Sequence, residues 1–364
     1  MFRVDKSATR TSTWFKVNCY LTNNSDVQTW KGAHSWVYNK VENNISLSNK
    51  NNLSLNMNQY YKQSGENVDD NMPLTFLVKG DTKDSEFIKF KQYFELQRQN
   101  GQNNQWILKP GEFSNRGKGI KLSQQLSTIE NYVETSRRAC WVIQKYIHNP
   151  LLISNNNNCN RRKFDIRCFA LYTCFNGTPK AYFFQDGYLR TASKEFSETN
   201  LTNKFIHLTN DAIQKKWSEY GKYESNNKLS FMDFQKYLEK KYPEQFESGE
   251  AWFYTSMYPK IKKLVADSFK AVGDRLNSKT RNNWFEMYGY DFMITEDFNV
   301  QLIEVNTNPW LETPCSLLSS MMWSVLDNTF RIVLDPYTYS QNGKVQELWD
   351  SSNNLCKFEL IWEK

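Results

Sequence analysis

No apolar run reaches the roughly 18 residues that a membrane-spanning helix needs, and the N-terminus, Met1-Phe2-Arg3-Val4-Asp5-Lys6, lacks the apolar core of a signal peptide. These two absences imply a soluble, intracellular protein with no membrane partner. Histidine is scarce: His34, His148 and His207 lie far apart, and none has a cysteine or second histidine at ligand spacing, which argues against a zinc site. The seven cysteines, Cys19, Cys140, Cys159, Cys168, Cys174, Cys315 and Cys356, are odd in number, scattered and never spaced as CxxC, the pattern of free thiols in a reducing compartment. No helix-turn-helix, zinc-finger or RNP pattern accompanies the excess of Lys and Arg, so nucleic acid ranks low as a partner. The GxxxxGK[ST] order of a Walker A loop is missing, and no internal repeat is present.

At 364 residues the chain is long enough for two or three sub-domains around a sizeable core. Aromatic content of 15% suits a globular protein, while 39% apolar content and a mean hydropathy of -0.72 put polar, Asn-rich loops on its surface. The formal charge of +7 points to an acidic partner or an anionic small molecule.

Residues 27–41 carry Trp30, Trp36 and Tyr38 and read as a strand or helix of a small N-terminal unit. Residues 43–58 alternate Asn with Leu, Ile and Ser, a bias that reads as a flexible loop. Strands are expected over 72–78, 105–109, 120–122, 140–146, 163–171 and 180–184, with a turn at Asn176-Gly177. Helices are expected over 84–99, 124–134, 231–240, 252–276 and 316–329. Residues 186–190 read as a turn into an extended segment, 205–210 as a short buried piece and 358–362 as an edge strand. The pattern is α+β, with a β-rich centre and helices around it.

The chemistry gathers at 287–309, MYGYDFMITEDFNVQLIEVNTNP, where two strand-like runs flank an acidic turn as in a hairpin. Alternation puts Glu304 and Asn306 on one face and Val305 in the core, and a hairpin fold brings Asp291 opposite them. Two readings stand level: an ordinary hairpin with polar ends, or an oxygen-only cluster of the kind Mg2+ takes when it also carries nucleotide phosphates. Upstream, Lys109 ends a strand and enters a loop with Gly111, Gly117 and Gly119, where Arg116 and Lys118 add charge; such a loop either closes over phosphates or is a basic solvated loop. Gln144, Lys145, Tyr146 and Ile147 form a strand end whose free peptide groups either read an adenine or face solvent. In 161–167, RRKFDIR, alternation sends Lys163, Asp165 and Arg167 to one face and Phe164 and Ile166 to the other, a charged face that is either solvated or lines a cleft. Arg190 offers a fork suited to an acyl phosphate or carboxylate.

In order along the chain, WILKP…RGKGI, VIQKYIHNPLLI, RRKFDIRCFAL, DGYLRTASKEF, FIHLTNDAIQKK, YGYDFMI and LIEVNTNP resemble the tubulin–tyrosine ligase family of ATP-grasp amino-acid ligases. The resemblance runs through 72–336, leaving 1–71 and a tail, 337–364, poorly matched; within it, 72–184 is expected to form N-terminal and central lobes and 185–336 a C-terminal lobe. It implies an ATP-grasp fold with ATP between two β-rich lobes. By the same resemblance Lys109 and Lys163 contact ATP phosphates, Arg116, Gly117 and Lys118 belong to the closing loop, and Gln144–Ile147 frame the adenine. Asp165 holds the ribose, Thr209 and Asn210 touch the nucleotide, and Asp291, Glu304 and Asn306 ligate Mg2+. Arg190 stands near the incoming amino acid and the reacting carboxylate, and Arg167 helps bind substrate.

The implied reaction phosphorylates a protein carboxylate with ATP and lets the amine of a free amino acid displace the phosphate. It needs no side-chain nucleophile, in keeping with the missing Ser/His and Cys/His signatures. The implied partner is the acidic C-terminal tail of tubulin, and the implied setting is cytoplasmic, with microtubules or cilia. The amino acid stays open among tyrosine, glutamate and glycine. Asp211-Ala212 stands where glutamate-adding members have Tyr-Ser, the stretch after it leans toward the tyrosine ligase, and the tail Lys357–Trp362 resembles the glycine-adding branch. A catalytically silent tubulin-binding module and an ATP-grasp ligase with another acceptor are the competing readings.

Overall fold

The computed structural model describes residues 3–4, 17–18, 38–111, 117, 119–135, 140–154, 160–246, 251–280, 282–335 and 356–364. Trp30, Trp36, Cys19, Cys159, His34, Arg116 and Lys118 lie outside the described residues. Strands β1 (Arg3–Val4) and β2 (Val17–Asn18) pair with each other. From β3 (Tyr38–Asn39) onward the chain builds two sheets.

The smaller sheet is antiparallel, in the order β4 (Thr75–Lys79), β7 (Cys140–Lys145), β5 (Trp106–Pro110), β6 (Lys121–Ser123). Helices α3 (Ser85–Gln99) and α4 (Leu126–Thr135) bury Phe87, Phe90, Phe94, Ile129 and Val133 against Phe76, Val78, Trp106, Leu108, Trp141 and Ile143. Asp84 caps α3 by accepting from the Glu86 N–H, so the acidic start of that helix is a structural signal.

The larger sheet runs β11 (Lys228–Ser230), β10 (Thr178–Thr191), β9 (Arg162–Phe175), β12 (Trp284–Ile294), β13 (Val300–Thr307). β3 joins β12 in parallel, β8 (Leu152–Ile153) joins β9, and β14 (Phe358–Glu363) joins β10. The β9–β10 hairpin turns on Asn176 and Gly177, both at positive φ (51° and 81°), the conformation that a two-residue loop between right-twisted strands requires. The expected turn at 186–190 is not one. β10 continues through it, and the register shifts between Phe183 and Gly187 as in a bulge. Gly187 permits this, since a Cβ there would lie 2.6 Å from the Arg167 carbonyl oxygen. The lobe boundary expected at 184/185 therefore falls inside β10.

Alternation along these strands gives the sheet two different faces. On one, Ile166, Cys168, Ala170, Tyr172, Tyr288, Tyr290 and Phe292 pack under α8 (Tyr258–Val272), which contributes Ile261, Leu264, Val265 and Phe269. A π-helical turn at Phe253–Met257 precedes α8, so the continuous helix expected over 252–276 is shorter than its apolar spacing suggested. The opposite face is divided. Phe169, Leu171, Phe285 and Met287 are covered by Leu318, Met322 and Val325 of α9 (Ser316–Val333). Two residues further along each strand the same face carries Arg167 and, past Gly289, Asp291. The charged site is the part of this face that α9 leaves open.

Residues 43–58 are not a loop. They form α1 (Ile45–Ser48) and α2 (Lys50–Ser64), where Asn49 caps α2 by accepting from the N–H groups of Asn51 and Asn52, and Gly65 ends it at φ 74°. Leu53, Met57 and Tyr61 repeat every four residues and bury against α8, and the Tyr60 and Tyr61 hydroxyls donate to Asp267. Burial of that stripe outweighs the weak helix propensity of the asparagines. The segment is fixed to β12 by Glu286, which accepts from the Val41 N–H at 2.9 Å and the Asn44 amide at 2.8 Å. The short strand β11 leads into α7 (Phe231–Lys241), capped by Ser230, while α5 (Lys204–His207) and α6 (Asp211–Gln214) are single turns flanking Leu208, Thr209 and Asn210.

Candidate active site

A cleft of ≈ 750 Å³, open to solvent, is lined by Lys109 from the small sheet, Lys163, Asp165, Arg190, Asp291, Glu304 and Asn306 from the large one, Thr209 and Asn210, and Gly117. Many of the residues expected to carry chemistry thus converge, from Lys109 to Asn306, 197 positions apart in the chain.

At the hairpin, Asp291 and Glu304 are direct cross-strand partners, and Gly289 pairs with Asn306. The Asn306 amide nitrogen lies 3.5 Å from Asp291 Oδ2 and 3.3 Å from Glu304 Oε1. Arg167 donates to Asp291 through Nε at 2.6 Å, and Arg190 reaches the other Asp291 oxygen at 2.8 Å. Arg190 also binds Asp165 through two parallel bonds of 2.6 Å each, and Thr209 Oγ1 donates to Asp165 at 2.6 Å. Both Asp165 oxygens are thus committed. Arg167 lies behind the cleft wall, where Gly289 makes room for it: a Cβ at 289 would come within 3.1 Å of its guanidinium.

Two lysines face each other from the two sheets. Lys109 donates to Gln144 Oε1 at 2.6 Å, and burial pulls its ammonium down to about 8. Lys163 donates to the Tyr146 hydroxyl at 3.0 Å and sits 4.4 Å above that ring; burial pulls it down to about 7. Tyr146 in turn bonds His207 Nδ1 at 2.8 Å, whose other nitrogen meets the Asn200 carbonyl. Burial holds His207 down at about 4, so it is neutral and acts as the fixed end of this chain. Burial raises the Glu304 carboxyl, but Lys50 and Lys109 overcome that and hold it below the ordinary carboxylate range. Burial pushes Asp291 up against the pull of Arg167 and Arg190.

The free strand edge expected at Gln144–Ile147 does not exist. β7 lies between β4 and β5, the Lys145 N–H donates to the Leu74 carbonyl and the Tyr146 N–H to the Gln105 carbonyl. Gln144 instead links Lys109 to Thr75, Lys145 bonds the Asn103 carbonyl beside the Trp106 ring, and Ile147 is buried. The apolar lining comes from Ile107, Ile120, Leu208, Met293 and Ile303, none of which bears a chemical signature in sequence.

Lys50 was not anticipated either. At the first turn of α2, it lines the cleft with Nζ 3.5 Å from Glu304 Oε2. Asn49 fixes that helix end to the small sheet by donating to the Gly111 carbonyl at 3.3 Å. The Leu53, Met57, Tyr61 spacing was the available signal. Among the described residues no disulfide joins Cys140, Cys168, Cys174, Cys315 or Cys356, no group of three His, Cys, Asp or Glu side chains is arranged to hold a metal by itself, and no helix is long and apolar enough to cross a membrane.

The family described as "Tubulin-tyrosine ligase family" matches residues 28–342, which takes in 28–71 as well as the motif-bearing region. The chain is 35% identical over 244 residues to tubulin glycylase 3B of Tetrahymena thermophila, covering 67% of this chain and 19% of that protein. It is 34% identical over 283 residues to tubulin glycylase 3A of Drosophila melanogaster (76% and 26%), and 31% identical over 272 residues to tubulin monoglycylase TTLL3 of Mus musculus (72% and 26%). The chain therefore spans about a fifth to a quarter of the length of these relatives. The chain belongs to the tubulin-tyrosine ligase family, whose members are ATP-dependent ligases that form C–N bonds.

Proposed function

We propose that this chain carries the catalytic region of an ATP- and Mg2+-dependent ligase that attaches glycine to a side-chain carboxylate in the acidic tail of tubulin. The observation that carries the ligase reading is the convergence of Lys50, Lys109, Lys163 and Arg190 with Asp291, Glu304 and Asn306 in one cleft. Glycine, rather than the tyrosine toward which the sequence leaned, is favoured by the glycylase names of the similar proteins.

The donor set fits Mg2+. Two carboxylates and an amide are too few for a self-standing site, but Mg2+ is commonly held by one or two carboxylates plus substrate phosphates. Asn306 presents its nitrogen to the carboxylates, so ligation requires its amide to turn over and offer oxygen. When bound, the ion supplies neutralisation of phosphate charge.

In this reading the fold is ATP-grasp, with the nucleotide between the sheets and its purine against Ile107, Ile120, Met293 and Ile303. Lys109 and Lys163 hold phosphate oxygens, and Tyr146 keeps the Lys163 ammonium aimed into the cleft. The acceptor carboxylate takes the γ-phosphoryl group of ATP, releasing ADP; the glycine amine then bonds to the acyl carbon, phosphate leaves and the amine loses a proton. Arg190, oriented by Asp165, offers its guanidinium to the carboxylate and to the oxyanion that develops there. Arg167 positions Asp291. The net charge of +7 favours approach of an acidic tail.

Mass spectrometry of tubulin incubated with this chain, ATP, Mg2+ and glycine tests the reading. Glycine in isopeptide linkage to tail glutamates is expected. Tails that stay unmodified although the chain binds nucleotide would remove it.

A further inference from the structure

Beyond the residues that handle phosphate, a second ion pair stands at the edge of the same face. Lys228 on β11 is the cross-strand partner of Arg190, so both side chains leave the sheet on one side, with Lys228 one strand further from Asp291. Its side chain is 2% exposed and its Nζ donates to Asp211 Oδ1 at 2.9 Å and to the Asn226 carbonyl at 2.9 Å. The Tyr220 hydroxyl donates to the same Asp211 oxygen at 2.6 Å. Asp211 directly follows Asn210, which lines the cleft, and its side chain is 21% exposed, the part of the cluster open to a solute. Asn226 also donates to the Pro314 carbonyl at 2.7 Å, which fixes this corner beside the chain leaving β13.

The cluster has no role in holding ATP or metal in the mechanism above. In that mechanism Arg190 meets the reacting carbonyl, so Lys228, its cross-strand neighbour, stands on the side by which the amine would arrive. The cluster's charges are matched internally: one ammonium, one carboxylate, one phenol. Burial raises the Asp211 carboxyl, yet Lys228 and Tyr220 overcome that and keep it ionised. An amino acid with a side-chain carboxylate would therefore meet an anion rather than a free cation, whereas glycine brings no side chain to the corner. Selectivity by placing a like charge against the wrong substrate is an ordinary route to discrimination.

We propose that Asp211 is a specificity-determining residue: by keeping Lys228 occupied it excludes amino acids with acidic side chains from the amine site. This rests on the glycine-ligase reading. Removing the Asp211 charge leaves the Lys228 amine, which burial already lowers, with the Asn226 carbonyl alone, and an entering γ-carboxylate would take the place of Asp211 and restore the ion pair.

The test measures equilibrium binding of free glutamate and free glycine to the full chain in the presence of Mg2+ and a non-hydrolysable ATP analogue, for wild type, Asp211→Asn, Asp211→Glu and the double variant Asp211→Asn/Lys228→Met. Asp211→Asn is expected to tighten glutamate by about tenfold or more relative to glycine. Asp211→Glu should keep the wild-type preference, and the double variant should lose the gain. Unchanged glutamate affinity in an Asp211→Asn protein that binds the ATP analogue normally would overturn the proposal, as would a gain that survives loss of Lys228. Tyr220→Phe, which removes one support of Asp211 and leaves the ion pair, serves where Asp211→Asn does not fold; it is expected to shift selectivity the same way by a smaller factor, and no shift would count against the proposal. Failure of wild type to ligate glycine would sink the functional reading and leave this binding comparison intact.

Discussion

Asp291 and Glu304 face each other across the β12–β13 ladder, each with its own cationic partners: Arg167 and Arg190 for the first, Lys50 for the second. A buried carboxylate and a partly exposed one side by side repel each other unless cations stand near both. The arrangement supplies these from three elements, β9, β10 and α2, and in the proposed reading this keeps the pair available for an ion carried in with phosphate.

Glu304→Gln and Asp291→Asn are each expected to lower ligation by about 10²-fold or more, since in the proposed reading each removes an anionic ligand of Mg2+. Circular dichroism should stay native. Nucleotide binding of the Glu304→Gln protein should lose its dependence on Mg2+ concentration; retained dependence would reassign the ligand.

Lys50→Met should reduce turnover about 10-fold or more with little loss of stability, because its ion pair with Glu304 is partly exposed and such pairs contribute roughly 0–1 kcal/mol. Lys50→Arg should recover part of the rate. A melting temperature that falls by more than about 5 °C would mean that the residue holds the fold instead.

Gly289→Ala places a Cβ 2.9 Å from the Pro309 Cβ and 3.1 Å from the Arg167 guanidinium. The expected cost is about 1–3 kcal/mol, with Arg167 displaced from Asp291 and activity lowered. Denaturant unfolding gives the first quantity and steady-state rates the second; an unperturbed protein would show that Arg167 has space the packing does not indicate.

The lysines make a pH prediction. Lys163 and Lys109 are lowered to about 7 and about 8 by burial, so both are charged below that window and lose charge above it. ATP affinity is therefore expected to fall as pH rises from about 6.5 to 8.5. Stability moves oppositely: with folded values below the unfolded one, the unfolded chain binds more protons at alkaline pH, so these two groups stabilise above the unfolded value and lose that contribution as pH falls through 8 and 7. Lys163→Met should flatten the lower part of both profiles, measured by nucleotide titration and urea unfolding.

Much of this site was legible because its elements are local. The alternation at Lys163–Arg167, the Asn176-Gly177 turn and the hairpin that sets Asp291 opposite Glu304 all follow from a period of two and a turn type. What failed was non-local or hidden by composition. Whether Gln144–Ile147 is an edge depends on Leu74 and Gln105, which bond it from either side, and nothing within the strand states that. The asparagines of 43–58 masked the Leu53, Met57, Tyr61 stripe and with it Lys50. Gly187 read as a turn because a bulge and a turn both call for glycine, and only the Arg167 carbonyl facing it separates the two.

The most direct test offers this chain tubulin, ATP and Mg2+ with labelled glycine, glutamate and tyrosine in parallel. The account predicts ATP- and Mg2+-dependent transfer of glycine into tubulin, abolished by Glu304→Gln. Incorporation of none of the three by a protein that binds ATP, or of tyrosine in place of glycine, would contradict it.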